Sequence, residues 1–342
     1  VAKRPKLTKN QRRKVSENRA KRLSAKQDEL KDSQLGDMQN GTVVGRFGKH
    51  ADVESQEGTV HRCFIRRTID SVVCGDHVQF RPGITDEQTG GVIEAVHDRN
   101  SVLTRPDFYD GIKPIAANID QIIVVSAVVP ELSTNIIDRY LVAAEDVEIQ
   151  PILVLNKVEL LDSDARTYVE QALQVYQDIG YKVIYTSCKS GEGINELSAQ
   201  LKDNISIFVG QSGVGKSSLV NQLLPEAEEA VGEISANSGL GQHTTTSAKL
   251  LHFAKGGDLI DSPGIREFSL WHLSKERVTW CFKEFRDYLG GCKFRDCKHI
   301  DDPGCIIREA VENGDVDEQR YFSYLRIVES MDEKRPAYSK PT

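Results

Sequence analysis

Ile205-Ser206-Ile207-Phe208-Val209-Gly210-Gln211-Ser212-Gly213-Val214-Gly215-Lys216-Ser217-Ser218 decides the fold of this chain. Its first five residues form an apolar run of the length of a buried strand, and Ser218-Leu219-Val220-Asn221-Gln222-Leu223-Leu224 supplies the opening turns of a helix. Between them Gly210–Ser217 has the form G-x-x-x-x-G-K-[ST], a phosphate-binding loop. Its glycines let successive N–H groups point inward at phosphate oxygens, and the helix N-terminus adds partial positive charge. Lys216 is placed to reach the β- and γ-phosphates and Ser217 to ligate Mg²⁺. Gln211, Ser212, Gly213, Val214, Gly215 and Ser218 complete the cradle. A glycine-rich turn that matches by accident is the bland alternative, and the flanking strand and helix argue against it. The loop specifies a nucleotide without specifying the base.

Upstream of the loop, β and α patterns alternate. Ile119–Ala127, Pro151–Leu155 and Lys182–Thr186 read as buried strands, and Ile136–Glu145, Ser163–Ile179 and Ile194–Lys202 as helices. That alternation predicts a doubly wound parallel sheet with its ligand at the carboxyl ends of the strands. Two strand ends carry base-reading chemistry. Asn156-Lys157-Val158-Glu159 resembles the N-K-x-D motif of GTPases, in which a carboxylate accepts from two donors of guanine that adenine lacks. Glu159 stands where that motif has Asp, so the same acceptors reach one methylene further. Ser187-Cys188-Lys189 resembles the S-A-K motif that contacts the guanine oxygen, with Cys188 in place of Ala.

Downstream, Gly241-Gln242-His243-Thr244-Thr245-Thr246 resembles a first switch segment, where Thr244 or Thr245 completes a Mg²⁺ shell. Asp261-Ser262-Pro263-Gly264 resembles D-x-x-G, with Asp261 near Mg²⁺ and the Gly264 N–H at the γ-phosphate. A typical GTPase runs phosphate loop, switch threonine, D-x-x-G, N-K-x-D, S-A-K, whereas here the last two come first. Motifs that share one edge of a parallel sheet survive cutting and rejoining of the chain at the opposite edge. The order therefore reads as a circularly permuted P-loop GTPase. The position after D-x-x-G, where many GTPases place a water-orienting glutamine, holds Ile265, so His243 is the candidate catalytic side chain beside Lys216 and Gly264.

Residues 38–106 change to short alternating segments at Thr42–Phe47, Thr59–Ile65, His77–Phe80, Gly91–Val96 and Val102–Thr104, separated by turn signals. Five short strands predict a small closed β-barrel of OB-fold type, followed by a linker over Asp107–Ala117. Arg62, Arg66 and Arg67 with Phe64 are candidates for a basic face with a stacking aromatic, and a barrel strand with outward arginines and a core Phe predicts the same letters. The net charge of −7 divides into +10 on residues 1–26, where eleven Lys or Arg oppose Glu17 alone, and −17 on the remainder. Residues 1–37 read as a basic, disordered arm suited to neutralising RNA phosphates.

Three of the seven cysteines fall between 292 and 305, and Cys292, Cys297, His299 and Cys305 form C-x₄-C-x-H-x₅-C. Three thiolates and an imidazole make a closed tetrahedral Zn²⁺ site of structural type. Helices are expected around it at Lys275–Leu289, Ile306–Glu312 and Asp317–Ser330. No run of 18 apolar residues occurs, and an odd cysteine set does not fit a secreted disulfide framework. The expectation is a soluble, cytoplasmic protein with no membrane partner, and a monomer.

Basic arm, barrel, permuted GTPase unit and Cys₃His module together resemble the RsgA (YjeQ) family of bacterial small-ribosomal-subunit biogenesis GTPases, over nearly the whole chain. The resemblance implies an OB-fold docked on rRNA, GTP as substrate and GDP as product, stimulation by the small (30S) subunit, and a role in its late maturation. The divisions expected are 1–37 arm, 38–106 barrel, 107–272 GTPase unit and 273–342 zinc-binding helical module. Because Asp261–Gly264 leads on toward the last module, ordering by the γ-phosphate is expected to reposition that module relative to the barrel. Two rivals stay open from the residues: a P-loop ATPase or kinase, and an RNA-binding assembly protein whose nucleotide site only regulates.

Overall fold

The computed structural model describes residues 35–84, 90–107, 111–224, 248–261 and 273–333. Five strands close a barrel: β1 (Gln39–Phe47), β2 (His50–Ser55), β3 (Val60–Ile65), β4 (His77–Arg81) and β5 (Gly91–Val96), in the order β1-β2-β3-β5-β4 with β4 returning to β1. The barrel is OB-like, as the sequence leads one to expect, but its fifth strand is a different one. His50–Ser55, whose apolar positions are only Ala51 and Val53, is a full strand, and both residues are buried. Val102–Thr104 instead belongs to β6 (Val102–Asp107), which pairs antiparallel with β7 (Gly111–Ala117) in a separate two-stranded sheet. The described part of the expected linker is therefore mostly strand, Gly111–Ala117. Pro114 lies in it and has no N–H for a ladder, which a two-stranded ribbon tolerates.

The barrel core is the inward set Val43, Ala51, Val53, Cys63, Val72, Val78, Phe80 and Ile93. A register shift between Val43 and Gly45 bends β1. Val43 stays in the barrel while Val44 packs against the neighbouring core, the re-aiming expected of a bulge. Beyond it Gly45 pairs with Lys249, so one sheet runs through both units.

The second unit holds β8 (Gln121–Ala127), β9 (Gln150–Asn156), β10 (Lys182–Thr186), β11 (Ile205–Val209), β12 (Lys249–His252) and β13 (Asp258–Asp261). Their spatial order is β10-β9-β8-β11-β13-β12, parallel except for β12. Alternation sorts the two faces. Ile122, Val124, Leu153 and Leu155 face α1 (Thr134–Asp146) and α2 (Ser163–Asp178), while Ile123, Val125, Ile152 and Val154 face α3 (Ile194–Leu201) and α4 (Lys216–Leu223). Asp162 starts α2 by accepting from the Ala165 N–H at 2.9 Å. The phosphate-loop strand β11 is central, flanked by β8 and β13.

The C-terminal module has α5 (Lys275–Cys281), a 3₁₀ segment (Lys283–Tyr288), α6 (Ile306–Glu312) and α7 (Glu318–Glu333). The single helix expected over Lys275–Leu289 breaks at Phe282, whose ψ of 99° leaves the helical region. The break lets Phe282 and Phe285 stack with centroids 5.0 Å apart and meet Tyr324 edge-on. This module docks on α1, with Val142 and Ala143 inside its core. Three ion pairs join them: Arg277 to Asp146 at 2.8 Å, Arg286 to Glu145 at 2.5 Å, and Arg320 to Asp138. Among the described residues no helix is long and apolar enough to cross a membrane.

Candidate nucleotide site and thiolate cluster

The site forms where β8, β9, β10, β11 and β13 end together. Gly210 leaves β11 at φ 145°, and a Cβ there would lie 2.1 Å from the Val125 carbonyl oxygen, so the loop starts only with glycine. Gly215 enters α4 at φ 95° with a would-be Cβ 2.3 Å from Asn156 Nδ2. Lys216 bends over the loop and donates to the Gly210 and Gln211 carbonyls at 2.7 and 2.6 Å. Ser212, Gly213, Ser217 and Ser218 are exposed along the rim, and Val214 is buried beneath it.

Asn156 joins the base-reading end to the loop. It is 2% exposed, its Nδ2 donates to the Val214 carbonyl at 3.0 Å, and its Oδ1 accepts from Thr186 Oγ1 at 3.2 Å. Lys157 sits at φ 66°, a left-handed conformation that costs a non-glycine residue about 1–2 kcal/mol. The turn aims its ammonium at the Val129 and Gly213 carbonyls, 2.7 and 2.6 Å away, and these charge-assisted bonds offset the strain. Four separate stretches of chain are thus tied together by two adjacent side chains. Val129 and Thr186 were not singled out from sequence as site residues. The signal available for Val129 is its place just past the carboxyl end of β8, beside the loop strand.

Ser187 is buried, and its hydroxyl accepts from the Lys189 and Ser190 N–H groups at 3.2 and 3.0 Å, folding the stretch after β10 into a turn. Cys188 is half-buried on that turn and Lys189 exposed. Burial, and then the charge of Glu159, push the Cys188 thiol upward, so it stays neutral and the two base-reading motifs lie within electrostatic reach of each other. Glu159 is exposed on the 3₁₀ turn Val158–Leu160.

Asp261 ends β13. The register Ile205↔Asp258 and Ser206↔Leu259, extended by two residues, sets it level with Phe208, two residues before the loop. His243, Thr244, Thr245, Gly264 and Ile265 lie outside the described residues, as does the arm up to residue 34.

In the last module, one donor atom from each of Cys292, Cys297, His299 and Cys305 lies within 4.8 Å of the others. His299 Nδ1 is 3.5 Å from Cys292 Sγ and 3.4 Å from Cys305 Sγ. A tetrahedral Zn²⁺ with ordinary Zn–S and Zn–N lengths requires about 3.5 Å between sulfur and nitrogen ligands. Left-handed backbone at His299, φ 59°, turns the ring inward, and Tyr321 Oη fixes the turn by donating to the His299 carbonyl at 2.7 Å. Burial lowers the His299 pKa, which keeps the imidazole neutral, the form that ligates. Every donor expected from the sequence is brought together, and the set fits a four-coordinate soft cation.

On the barrel, Arg62 pairs with Asp52 at 2.9 Å and Arg66 with Glu94 at 2.5 Å, so two of the three arginines of the expected basic face are neutralised by their neighbours. Phe64 is not a core residue; it is 38% exposed and lies 4.4 Å from the His50 ring.

Comparison with known proteins adds independent findings. Residues 96–271 match the family model described as RsgA GTPase. The protein named small ribosomal subunit biogenesis GTPase RsgA from Photorhabdus laumondii is 58% identical over 339 residues, spanning 97% of this chain and 96% of its own length. The protein of the same name from Yersinia pseudotuberculosis is 58% identical over 337 residues, 97% of this chain and 96% of its own. Among solved structures, YjeQ from Thermotoga maritima superposes with a TM-score of 0.70 at 37% identity, over 87% of this chain and all of its own. YloQ, described as a circularly permuted GTPase, gives 0.69 at 27% identity, over 88% of this chain and 98% of its own. The permuted strand order, the phosphate loop tied to Asn156 and Lys157, and near full-length identity therefore agree that the chain belongs to the RsgA GTPase family.

Proposed function

We propose that this protein binds and hydrolyses GTP in the late maturation of the small ribosomal subunit, in the cytoplasm, as a monomer that docks on rRNA and is stimulated by the subunit. The observation that carries the nucleotide half is the direct stitching of the phosphate loop to the base-reading motif, Asn156 to Val214 and Lys157 to Gly213. The subunit half rests on what the relatives are named for. In this reading the parts are an arm at 1–37, a barrel at 38–106, a GTPase unit at 107–272 and a zinc-bearing module at 273–342, with the Val102–Ala117 hairpin as the joint between the second and third.

Phosphoryl transfer to water demands positioning and charge stabilisation more than covalent chemistry. Main-chain N–H groups of Gly210–Ser218 hold the phosphate oxygens, and Lys216 swings from its carbonyl contacts to the β- and γ-phosphates. Asn156, Lys157 and Glu159 hold the guanine from one side, with the backbone of Ser187, Cys188 and Lys189 at its carbonyl edge. Ser217, with Thr244 or Thr245 and with Asp261 nearby, would hold Mg²⁺, which when bound would supply positive charge beside the β- and γ-phosphates. The Gly264 N–H contacts the γ-phosphate, and His243 orients the attacking water, since Ile265 has no polar group to do so. Cys292, Cys297, His299 and Cys305 would hold one structural Zn²⁺.

Phosphate release from GTP and from ATP, each with and without purified small subunits, tests the reading. Turnover of GTP alone, raised by subunits, is expected. Equal turnover of ATP would restore the ATPase rival, and GTP binding without turnover in either condition would favour the purely regulatory site.

A further inference from the structure

Between the stretch carrying Thr244 and Thr245 and the one opening at Asp261, the described chain is the β12–β13 hairpin, which packs Leu250 and Ile260 against Cys74 and Val44 and makes two polar contacts with the barrel among the described residues. One is the ladder contact of Gly45 with Lys249. The other is His252, at the turn end of β12. Its Nε2 faces the Glu54 carboxylate of β2 at 2.9 and 3.1 Å, and its Nδ1 faces Asp258 Oδ1 of β13 at 2.7 Å. A neutral imidazole carries one N–H, and carboxylate oxygens only accept. Both contacts are hydrogen bonds only if the ring is an imidazolium. The Asp258 hydrogen bond and the Glu54 charge, against burial, raise its pKa to about 9, so it is cationic at neutral pH.

The hairpin is paired along its length, from His252↔Asp258 at one end to Lys249↔Asp261 at the other. Its turn is pinned to the strand that feeds the phosphate loop, because the Asp258 N–H donates to the Asn204 carbonyl at 2.9 Å and Asp258 pairs with Ile205. Asp261 lies three residues, roughly 10 Å, along β13 from the charged bridge. Glu54 of the barrel thus contacts one end of a paired two-stranded arm whose other end carries Asp261. The bridge is half-exposed, so it contributes little to global stability, and its value lies in geometry.

We propose that His252, as the cation shared by Glu54 and Asp258, is a positioning residue through which the barrel sets the Asp261 end of the hairpin when the small subunit engages it. This rests on the subunit-stimulated reading given above. The test compares the full-length parent with H252Q, H252R and E54Q, measuring basal turnover, turnover against subunit concentration, and melting temperature. Expected are basal rates and melting temperatures close to the parent, and unchanged half-saturating subunit concentration. Maximal stimulated turnover should fall about tenfold in H252Q and E54Q, the effect of ~1.4 kcal/mol on a barrier. H252R, which restores a cation between the carboxylates, should recover most of it. Full stimulation of H252Q, a loss expressed only as weaker subunit binding, or an H252R no better than H252Q would each overturn the positioning role. A parent protein that subunits do not stimulate would refute the subunit reading instead.

Discussion

Replacing Arg320 by Met should cost up to about 4 kcal/mol of stability at pH 7, and the cost should shrink as the solution is acidified. Arg320 is 2% exposed, pairs with the equally buried Asp138 of α1, and holds Glu284 at 2.7 and 3.1 Å. Met keeps the apolar stem that packs near Phe282 but leaves the Asp138 carboxylate with the Tyr176 hydroxyl, 2.8 Å away, and Ser323 as its remaining donors. Burial already pushes Asp138 upward against the pull of Arg320, and without that pull the group protonates in the folded state. Protonation sets the ceiling: about 1.4 kcal/mol per pH unit over the roughly three units between an unfolded Asp and pH 7, so about 4 kcal/mol. Glu284, nearer the surface, rehydrates and adds little. The sign follows from linkage. In the variant the folded pKa lies above the unfolded one, so the unfolded state loses its proton first and stability falls as pH rises from about 4 toward the folded value. The parent's own Asp138 is also pushed up, so part of this fall is shared, and the deficit relative to the parent should be at most about 1.5 kcal/mol at pH 5. Urea unfolding at both pH values, followed by far-UV circular dichroism and by the fluorescence of Trp280 in the same module, measures it. D138N/R320M, with no buried charge in the pair, should recover most of the loss. A deficit below 1 kcal/mol at pH 7, or one that does not change with pH, would refute the argument.

G215A places a Cβ against Asn156 Nδ2 in a left-handed conformation, and titration with a fluorescent GDP analogue should show at least tenfold weaker binding; parent-like affinity would mean the loop yields freely. K157A removes two charge-assisted bonds that hold the base-reading turn against the loop, worth about 1.5–3 kcal/mol each to a charged donor. Competition between GTP and ATP should show GTP affinity falling by roughly ten- to a hundredfold with ATP affected far less, and an equal loss for both would place Lys157 outside base recognition. C305S should reduce bound zinc from one per chain to none and abolish hydrogen-exchange protection over residues 292–312 while α1 keeps its own. Full zinc content in that variant would show that the four donors do not act as one site.

Some of this was legible in the sequence and some was not, for physical reasons that differ by region. Phosphate loop, base-reading motifs and thiolate cluster are each contiguous or nearly so, and their chemistry constrains residue type at fixed spacing. The barrel was legible in kind but not in membership. His50–Ser55 buries only Ala51 and Val53, too small an apolar signal to stand out, while Val102–Thr104 has the alternation of a barrel strand and is claimed by a later partner. The fixing of α1 to the last module left no trace at all. Arg320 reads as an ordinary charged position on an amphipathic helix, and its partner is 182 residues away. Phe64 was ambiguous between core and surface because a strand in a small barrel offers both.

The three ion pairs on α1 alter the mechanical picture that the chain order alone suggests. A γ-phosphate ordering the stretch after Asp261 was expected to reposition the C-terminal module. That module is held on the far side of α1, through Asp138, Glu145 and Asp146, with Val142 and Ala143 in its core. Helix α1 in turn follows the loop whose Val129 carbonyl receives Lys157. Module, α1 and base-reading turn are thus one packed body, joined by contacts that cost several kcal/mol to break. The barrel meets the β12–β13 hairpin through the ladder contact of Gly45 with Lys249 and a half-exposed charged bridge, and it meets the chain just before β8 through the Cys74 and Gly75 carbonyls, which accept from the Ala117 N–H at 3.0 Å and from Asn118 Nδ2 at 2.8 Å. Of these the half-exposed charged bridge is the cheapest to rearrange. The prediction is that barrel position is felt on the Asp261 side while the thiolate module stays with the guanine side; hydrogen exchange that differs between GTP-analogue and GDP forms across Lys275–Glu333 but not at β12 would refute it.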